Sequence, residues 1–268
     1  TAGYPFMQPD RWDYTLNTRL NAWKNKMNIT ASIGQRVNNL SSTTLKSKQL
    51  IANINWFTQF SDHFSINASY SNFGFQTAGL NGLRNVANDL SINPTYTWTT
   101  EKVMHLLTGT YSWSKYDERT NYAPLITTHN NTHTALLTYI PAYLKKKVTA
   151  DFTLMYFLNK TPLGTSPVTF LKTSLYSASS NIGLPVAKNK IKLRGQLMYV
   201  CNKTDGASPK SDGNNVLATA GADWNITKKL KWNFSMTGNL FKYTKDFLPP
   251  SARYLESTVR TSFNYRFK

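Results

Sequence analysis

The sequence predicts an all-β fold, an antiparallel transmembrane β-barrel of about 13–14 long strands in an up-and-down meander. Three observations carry this. Six times, two long stretches that alternate apolar and polar residues are joined by a very short, often basic turn. In Leu230–Lys242, Leu230, Trp232, Phe234, Met236, Gly238 and Leu240 fall on one face, and Lys231, Asn233, Ser235, Thr237 and Asn239 on the other. Soluble strands average about 5–6 residues, whereas a tilted strand crossing a bilayer needs roughly 9–11. Short and long connections alternate, the pattern of periplasmic turns and extracellular loops.

The strands follow in order. Trp12–Leu20 places Trp12, Tyr14, Leu16 and Leu20 in phase, and Met27–Val37 does so for Met27, Ile29, Ala31 and Ile33. Lys46–Phe60 carries Leu50, Ala52, Ile54 and Trp56 on one side. Phe64–Phe75 sets Phe64, Ile66, Ala68 and Tyr70 against Ser65, Asn67, Ser69 and Ser71. Asp89–Thr99 and Lys102–Tyr116 form a third hairpin, followed by a polar loop over Asp117–Asn131. Thr132–Tyr143 meets Lys147–Asn159 through a turn at Leu144–Lys146, and Val148, Ala150, Phe152, Leu154, Tyr156 and Leu158 face outward. Phe170–Gly183 alternates poorly; Lys190–Lys203 does so well. Asn214–Trp224, the Leu230 strand and Arg253–Phe267 complete thirteen. Second members of the hairpins recur at roughly 40-residue intervals. A propeller blade has a similar period but needs four short strands where this chain has two long ones.

The chain has 268 residues, 13% aromatic residues, a mean hydropathy of −0.43 and a formal charge of +18. No apolar run approaches the roughly 18 residues of a transmembrane helix. A barrel needs none, because half of each strand faces water. The lysines at positions 24, 26, 145–147, 188, 190, 228, 229 and 231 cluster in or beside the short turns. The period-two pattern leaves no basic recognition helix, so nucleic acid is not an expected partner. One cysteine, Cys201, excludes an intrachain disulfide and reads as a small lipid-facing residue. The chain begins without Met or an apolar leader, so a removed signal peptide is expected.

Candidate chemistry is sparse. His129 and His133 have helical metal spacing, but four residues on a strand span about 13 Å, and no Cys, Asp or Glu is near them in sequence. His63 in a turn and His105 on an outward face have no carboxylate on the same face of their own strand. No catalytic residue, metal site or cofactor is assigned, and an enzyme is not expected. The inward face carries Arg19, Lys102, Lys192, Arg194, Arg260 and Arg266 against Asp13, Asp151, Asp223 and Glu256. Rings of such charge set ion preference in pores, while cross-strand pairing would brace the wall instead. The lumen-facing candidates are Arg19, Asp151, Lys192, Arg194, Glu256, Arg260 and Arg266.

The final residues, Ser262-Phe263-Asn264-Tyr265-Arg266-Phe267-Lys268, resemble the C-terminal strand of Gram-negative outer-membrane proteins. That resemblance implies that Phe263, Tyr265 and Phe267 form a signal for the barrel assembly machinery; the Lys after Phe267 is a small departure. The stretches Pro5-Phe6, Pro9-Asp10-Arg11, Asn17-Thr18-Arg19-Leu20 and Trp23-Lys24-Asn25-Lys26-Met27 resemble large outer-membrane barrels of the Bacteroidota, without any plug motif of TonB-dependent transporters. The implied location is the outer membrane, with lipid and lipopolysaccharide as neighbours and a periplasmic C-terminus.

One barrel domain over residues 1–268 is expected, as the C-terminal part of a longer barrel. Thirteen strands is odd, whereas bacterial single-chain barrels close with an even number. With the C-terminus periplasmic, the first strand would enter from the outside, so a preceding segment with an odd number of strands is expected. The expected function is passage of a solute or substrate through the lumen. The alternative is a structural or assembly subunit of a larger outer-membrane complex.

Overall fold

The computed structural model describes residues 11–40, 46–78, 82–120, 127–143, 148–163, 169–188, 190–206, 212–243 and 253–266. These form thirteen strands and no helix. The first hairpins are β1 (Arg11–Ala22) with β2 (Met27–Asn38), β3 (Ser47–Gln59) with β4 (Phe64–Thr77), and β5 (Leu83–Thr99) with β6 (Val103–Thr120). The next are β7 (Thr127–Tyr143) with β8 (Thr149–Leu163), β9 (Thr169–Val186) with β10 (Ile191–Asp205), and β11 (Gly213–Asn225) with β12 (Leu230–Tyr243); β13 (Arg253–Tyr265) ends the sheet. Strand order is sequence order, with every neighbouring pair antiparallel. β1 and β13 are the two edges of this sheet.

Residues directly opposite each other in antiparallel strands share a face. One row runs Thr149, Gly183, Arg194, Gly221, Ser235 and Arg260 through six strands. Its neighbours along each strand project to the other side. Trp224, Trp232 and Phe263 form a row on that second face, with Trp232 stacked on Phe263 at 6.2 Å between ring centroids. The parity set in one hairpin is thus inherited by all the others.

The two faces differ in kind. Among the described residues, Val37 and Ala150 are the buried hydrophobics, so there is no second layer and no interior core. Leu16, Leu154, Val259 and Phe263 are 65%, 56%, 61% and 66% exposed on the apolar face. A bare apolar surface of that extent is incompatible with water as its only neighbour.

The turns that join hairpin partners are built locally. Ser61 Oγ accepts from the backbone N–H groups of His63 and Phe64 at 3.2 and 3.0 Å. Thr227 Oγ1 does the same for Lys229 and Leu230 at 3.2 and 3.0 Å. Trp23, Lys24 and Asn25 turn β1 into β2 with φ of 52°, 52° and 68°, left-handed values that suit the twist of a tight hairpin.

Several boundaries differ from the sequence-based expectation. The polar loop at Asp117–Asn131 is not a loop at its ends: β6 continues to Thr120, β7 starts at Thr127, and Arg119 opposes Thr127. Apolar alternation stops there while backbone pairing continues. The same extension gives β5, β6, β7 and β9 lengths of 17, 18, 17 and 18 residues. It also breaks the strict alternation of connections, since residues 144–148 and 164–168 span equal lengths on opposite sides. Phe170–Gly183 alternates poorly because Ser174, Ala178 and Ser180 take apolar-face positions while Leu171 and Leu175 have polar-face parity; β9 runs further at both ends, Thr169–Val186. The expected turn at Leu144–Lys146 lies outside the described residues.

Facing is directly testable. In liposomes, a membrane-impermeant maleimide should modify Ser235→Cys and spare Phe234→Cys. Labelling of Phe234→Cys alone would invert the register.

Candidate functional site

The polar face carries the candidate site, a groove on β8–β12. Asp151 comes from β8, Asn181 and Gly183 from β9, Lys192 and Arg194 from β10, and Gly221 from β11. They surround a groove of about 410 Å³. Two glycines make the room. A Cβ on Gly183 would collide with Thr149 Oγ1 and come within 2.9 Å of Lys192 Cε. One on Gly221 would meet the Phe234 carbonyl at 2.9 Å. Arg194 therefore lies between two positions without side chains, with Ser235 and Arg260 continuing its row.

The charges are partly paired. Arg194 Nη2 donates to Asp223 Oδ1 at 2.7 Å. Asn181 Nδ2 donates to Asp151 Oδ1 at 2.7 Å. Asp223 lies directly opposite Lys192, so its carboxylate is shared in position between two cations but bonded to one. Lys192 and Arg260 have no ion-pair partner among the described residues. At the other edge Asp13 bridges Arg11 at 2.6 Å and Arg36 at 3.2 Å.

Each sequence candidate has a definite place. Arg19 lies on the polar face of β1, beside a second groove of about 400 Å³ formed with Asn17, Thr30, Ser32, Asn53 and Asn55. Asp151, Lys192 and Arg194 come together, while Glu256 sits opposite Asn239 on β13, away from them. Arg266 follows β13 and its N–H donates to the Lys229 carbonyl at 2.9 Å. Phe263 and Tyr265 lie on the apolar face opposite Trp232 and Leu230; Phe267 lies outside the described residues. Lys102 is not on the inward face, because β6 starts at Val103 and Lys102 belongs to the preceding turn.

Register also adds residues that sequence reasoning left out. Arg11 and Arg36 share the polar face with Arg19, Lys192, Arg194 and Arg260, and with Lys231, which the alternation of its own strand already places there. Asp89 and Glu118 share it with Asp13, Asp151, Asp223 and Glu256. Seven basic strand residues thus face six acidic ones, so the inward basic excess is local to the groove.

Three of the four histidines are committed elsewhere. His105 Nδ1 hydrogen-bonds the Tyr139 hydroxyl at 2.7 Å and stacks on Trp98 at 4.6 Å. His133 Nδ1 meets the Tyr111 hydroxyl at 2.9 Å. His129 contacts Asp117, which also holds Lys115 at 2.9 Å. A carboxylate therefore does accompany His129: Asp117 is twelve residues away in sequence and opposite it in the ladder. Among the described residues no three His, Cys, Asp or Glu side chains come together.

No family model and no curated protein matches the sequence. The fold is similar to the alcaligin outer-membrane receptor FauA of Bordetella pertussis, with a TM-score of 0.66, 10% identity, and coverage of 95% of this chain and 46% of that one. It is also similar to BauA, the ferric preacinetobactin receptor of Acinetobacter baumannii, with a TM-score of 0.51, 10% identity, and coverage of 95% and 52%. The chain spans about half the length of these structures. The fold is that of a Gram-negative outer-membrane β-barrel wall.

The Arg194–Asp223 pair is half exposed at the arginine, so its contribution is small. A double-mutant cycle with Arg194→Gln and Asp223→Asn, read by urea unfolding from liposomes, should give a coupling under about 1 kcal/mol. A coupling above about 3 kcal/mol would mean a dry, buried pair.

Proposed function

We propose that this chain forms part of the wall of an outer-membrane β-barrel through which a solute or substrate passes, with the polar face lining the lumen. The observation that carries this is a single-layer sheet with one bare apolar face and one polar face in continuous register. A one-layer sheet of that kind is stable where lipid covers the apolar side and water or a polar filling occupies the other. The C-terminus then lies in the periplasm and the longer connections lie outside. Arg19, Asp151, Lys192, Arg194, Glu256, Arg260 and Arg266 are lumen residues, and Phe263, Tyr265 and Phe267 are the strand read by the assembly machinery.

β1 and β13 are both odd-numbered and run in the same direction. An odd number of further strands, from this chain or another, is needed to close them with antiparallel pairs throughout. The same two open edges favour the second reading, a structural or assembly subunit whose edges pair with a partner in a larger complex.

Lys192, Arg194 and Arg260 outnumber Asp151 and Asp223 along the groove, so passage should favour anions. In planar bilayers the complete closed barrel should conduct with a modest anion preference, and Arg260→Glu should weaken or reverse it. Correctly inserted barrels that conduct nothing would contradict the passage reading and support the assembly one.

A further inference from the structure

We infer that the outer end of the apolar face is a docking collar for the phosphorylated headgroup of an outer-leaflet lipid, with its main seat on β6–β10. This rests on the proposal above that the apolar face meets lipid and that the longer connections lie outside.

The charge distribution supplies the first argument. Charged strand residues with apolar-face parity all fall at the end of their strands that bears the longer connections. β3 and β5 contribute Lys48 and Arg84, and β6 contributes Lys115 and Arg119. β8, β9 and β10 contribute Lys160, Lys172 and Lys203. β12 and β13 contribute Lys242 and Arg253. Against these nine cations stand two carboxylates, Asp117 and Asp205. The polar face, with seven against six, shows no such bias.

Register supplies the second. Tyr111, Ala135, Tyr156, Tyr176 and Cys201 form one row. Four residues further along each strand, Lys115, Asn131, Lys160, Lys172 and Asp205 form another. Tyrosine rows mark the membrane–water interface. Four residues is about 13 Å along a strand, less along the membrane normal because strands tilt by roughly 35–45°. The lysine row therefore stands at the level of headgroup phosphates.

The third argument is the unpaired repulsion inside that row. Lys160 and Lys172 lie directly opposite each other, an arrangement that destabilises a ladder unless an anion sits between the two cations. Neither has an ion-pair partner among the described residues, whereas Lys115 is held by Asp117 at 2.9 Å. They line a cavity of about 610 Å³ with Lys115, His129, Phe170 and Asp205, where three lysines stand against the one carboxylate, which lies opposite Lys172. Immediately inward on the same strands, a second cavity of about 430 Å³ is lined by Leu137, Leu154, Tyr156, Tyr176 and Tyr199. A cationic seat above an apolar trough matches an amphiphile carrying phosphate on an acylated headgroup, and a free anion would leave the trough unused.

The test uses the complete protein in detergent, titrated with bis-phosphorylated lipid A and read by native mass spectrometry. Lipid A should be retained, Lys160→Gln/Lys172→Gln should lower its occupancy at least tenfold, and Lys160→Arg/Lys172→Arg should keep it. Dephosphorylated lipid A should bind at least tenfold more weakly, and millimolar inorganic phosphate should not compete. Unchanged binding by the Gln variant, equal binding of dephosphorylated lipid A, or competition by inorganic phosphate alone would overturn the inference. Failure of the protein to float with phosphatidylcholine liposomes would instead overturn the membrane reading beneath it. Arg260→Glu, on the opposite face, should bind lipid A like the parent.

Discussion

Backbone hydrogen bonding is the constraint on which this structure depends. An N–H or C=O left unpaired away from water costs several kcal/mol, so each strand must find neighbours along its length. The ladder joins all thirteen strands in one register and breaks only beside Pro94 and Pro141, which have no N–H to give. Once every strand is locked to the next, side-chain parity is no longer a local choice. A residue's face is fixed by its partner, that partner's face by the next, and a single register error would carry a whole strand of apolar side chains into water.

That constraint also organises the charge. The +18 of the sequence does not fill the polar face, which is close to balanced. It lies instead in the short turns and at the end of the apolar face that bears the longer connections. The interior is left to a few grooves where small residues such as Gly183 and Gly221 bring Lys192 and Arg194 into the open.

Much of this was legible in the sequence because period two is a local signal. The strands at Lys147–Asn159 and Leu230–Lys242, the six hairpins and the number of strands follow from alternation and turn chemistry alone. Strand ends were not legible, because there both sides are polar and the alternation vanishes while pairing continues, as at Asp117–Thr120 and Thr127–Asn131. Contacts between strands were also hidden. Nothing local brings Asp117 to His129, Asp223 to Arg194, or Lys160 to Lys172; each needs the register of two strands. The grooved part of the candidate site was read as a list of charges, and its glycines carried no sequence signal of their own.

The parallel direction of β1 and β13 makes the central claim testable in one observation. An electron cryomicroscopy structure of the complete protein in lipid nanodiscs should have both strands paired antiparallel to strands from outside residues 11–265. The apolar face should be covered by lipid. A barrel closed by a direct β1–β13 ladder, which would have to be parallel, or a sheet whose apolar face packs on another protein layer, would contradict the account.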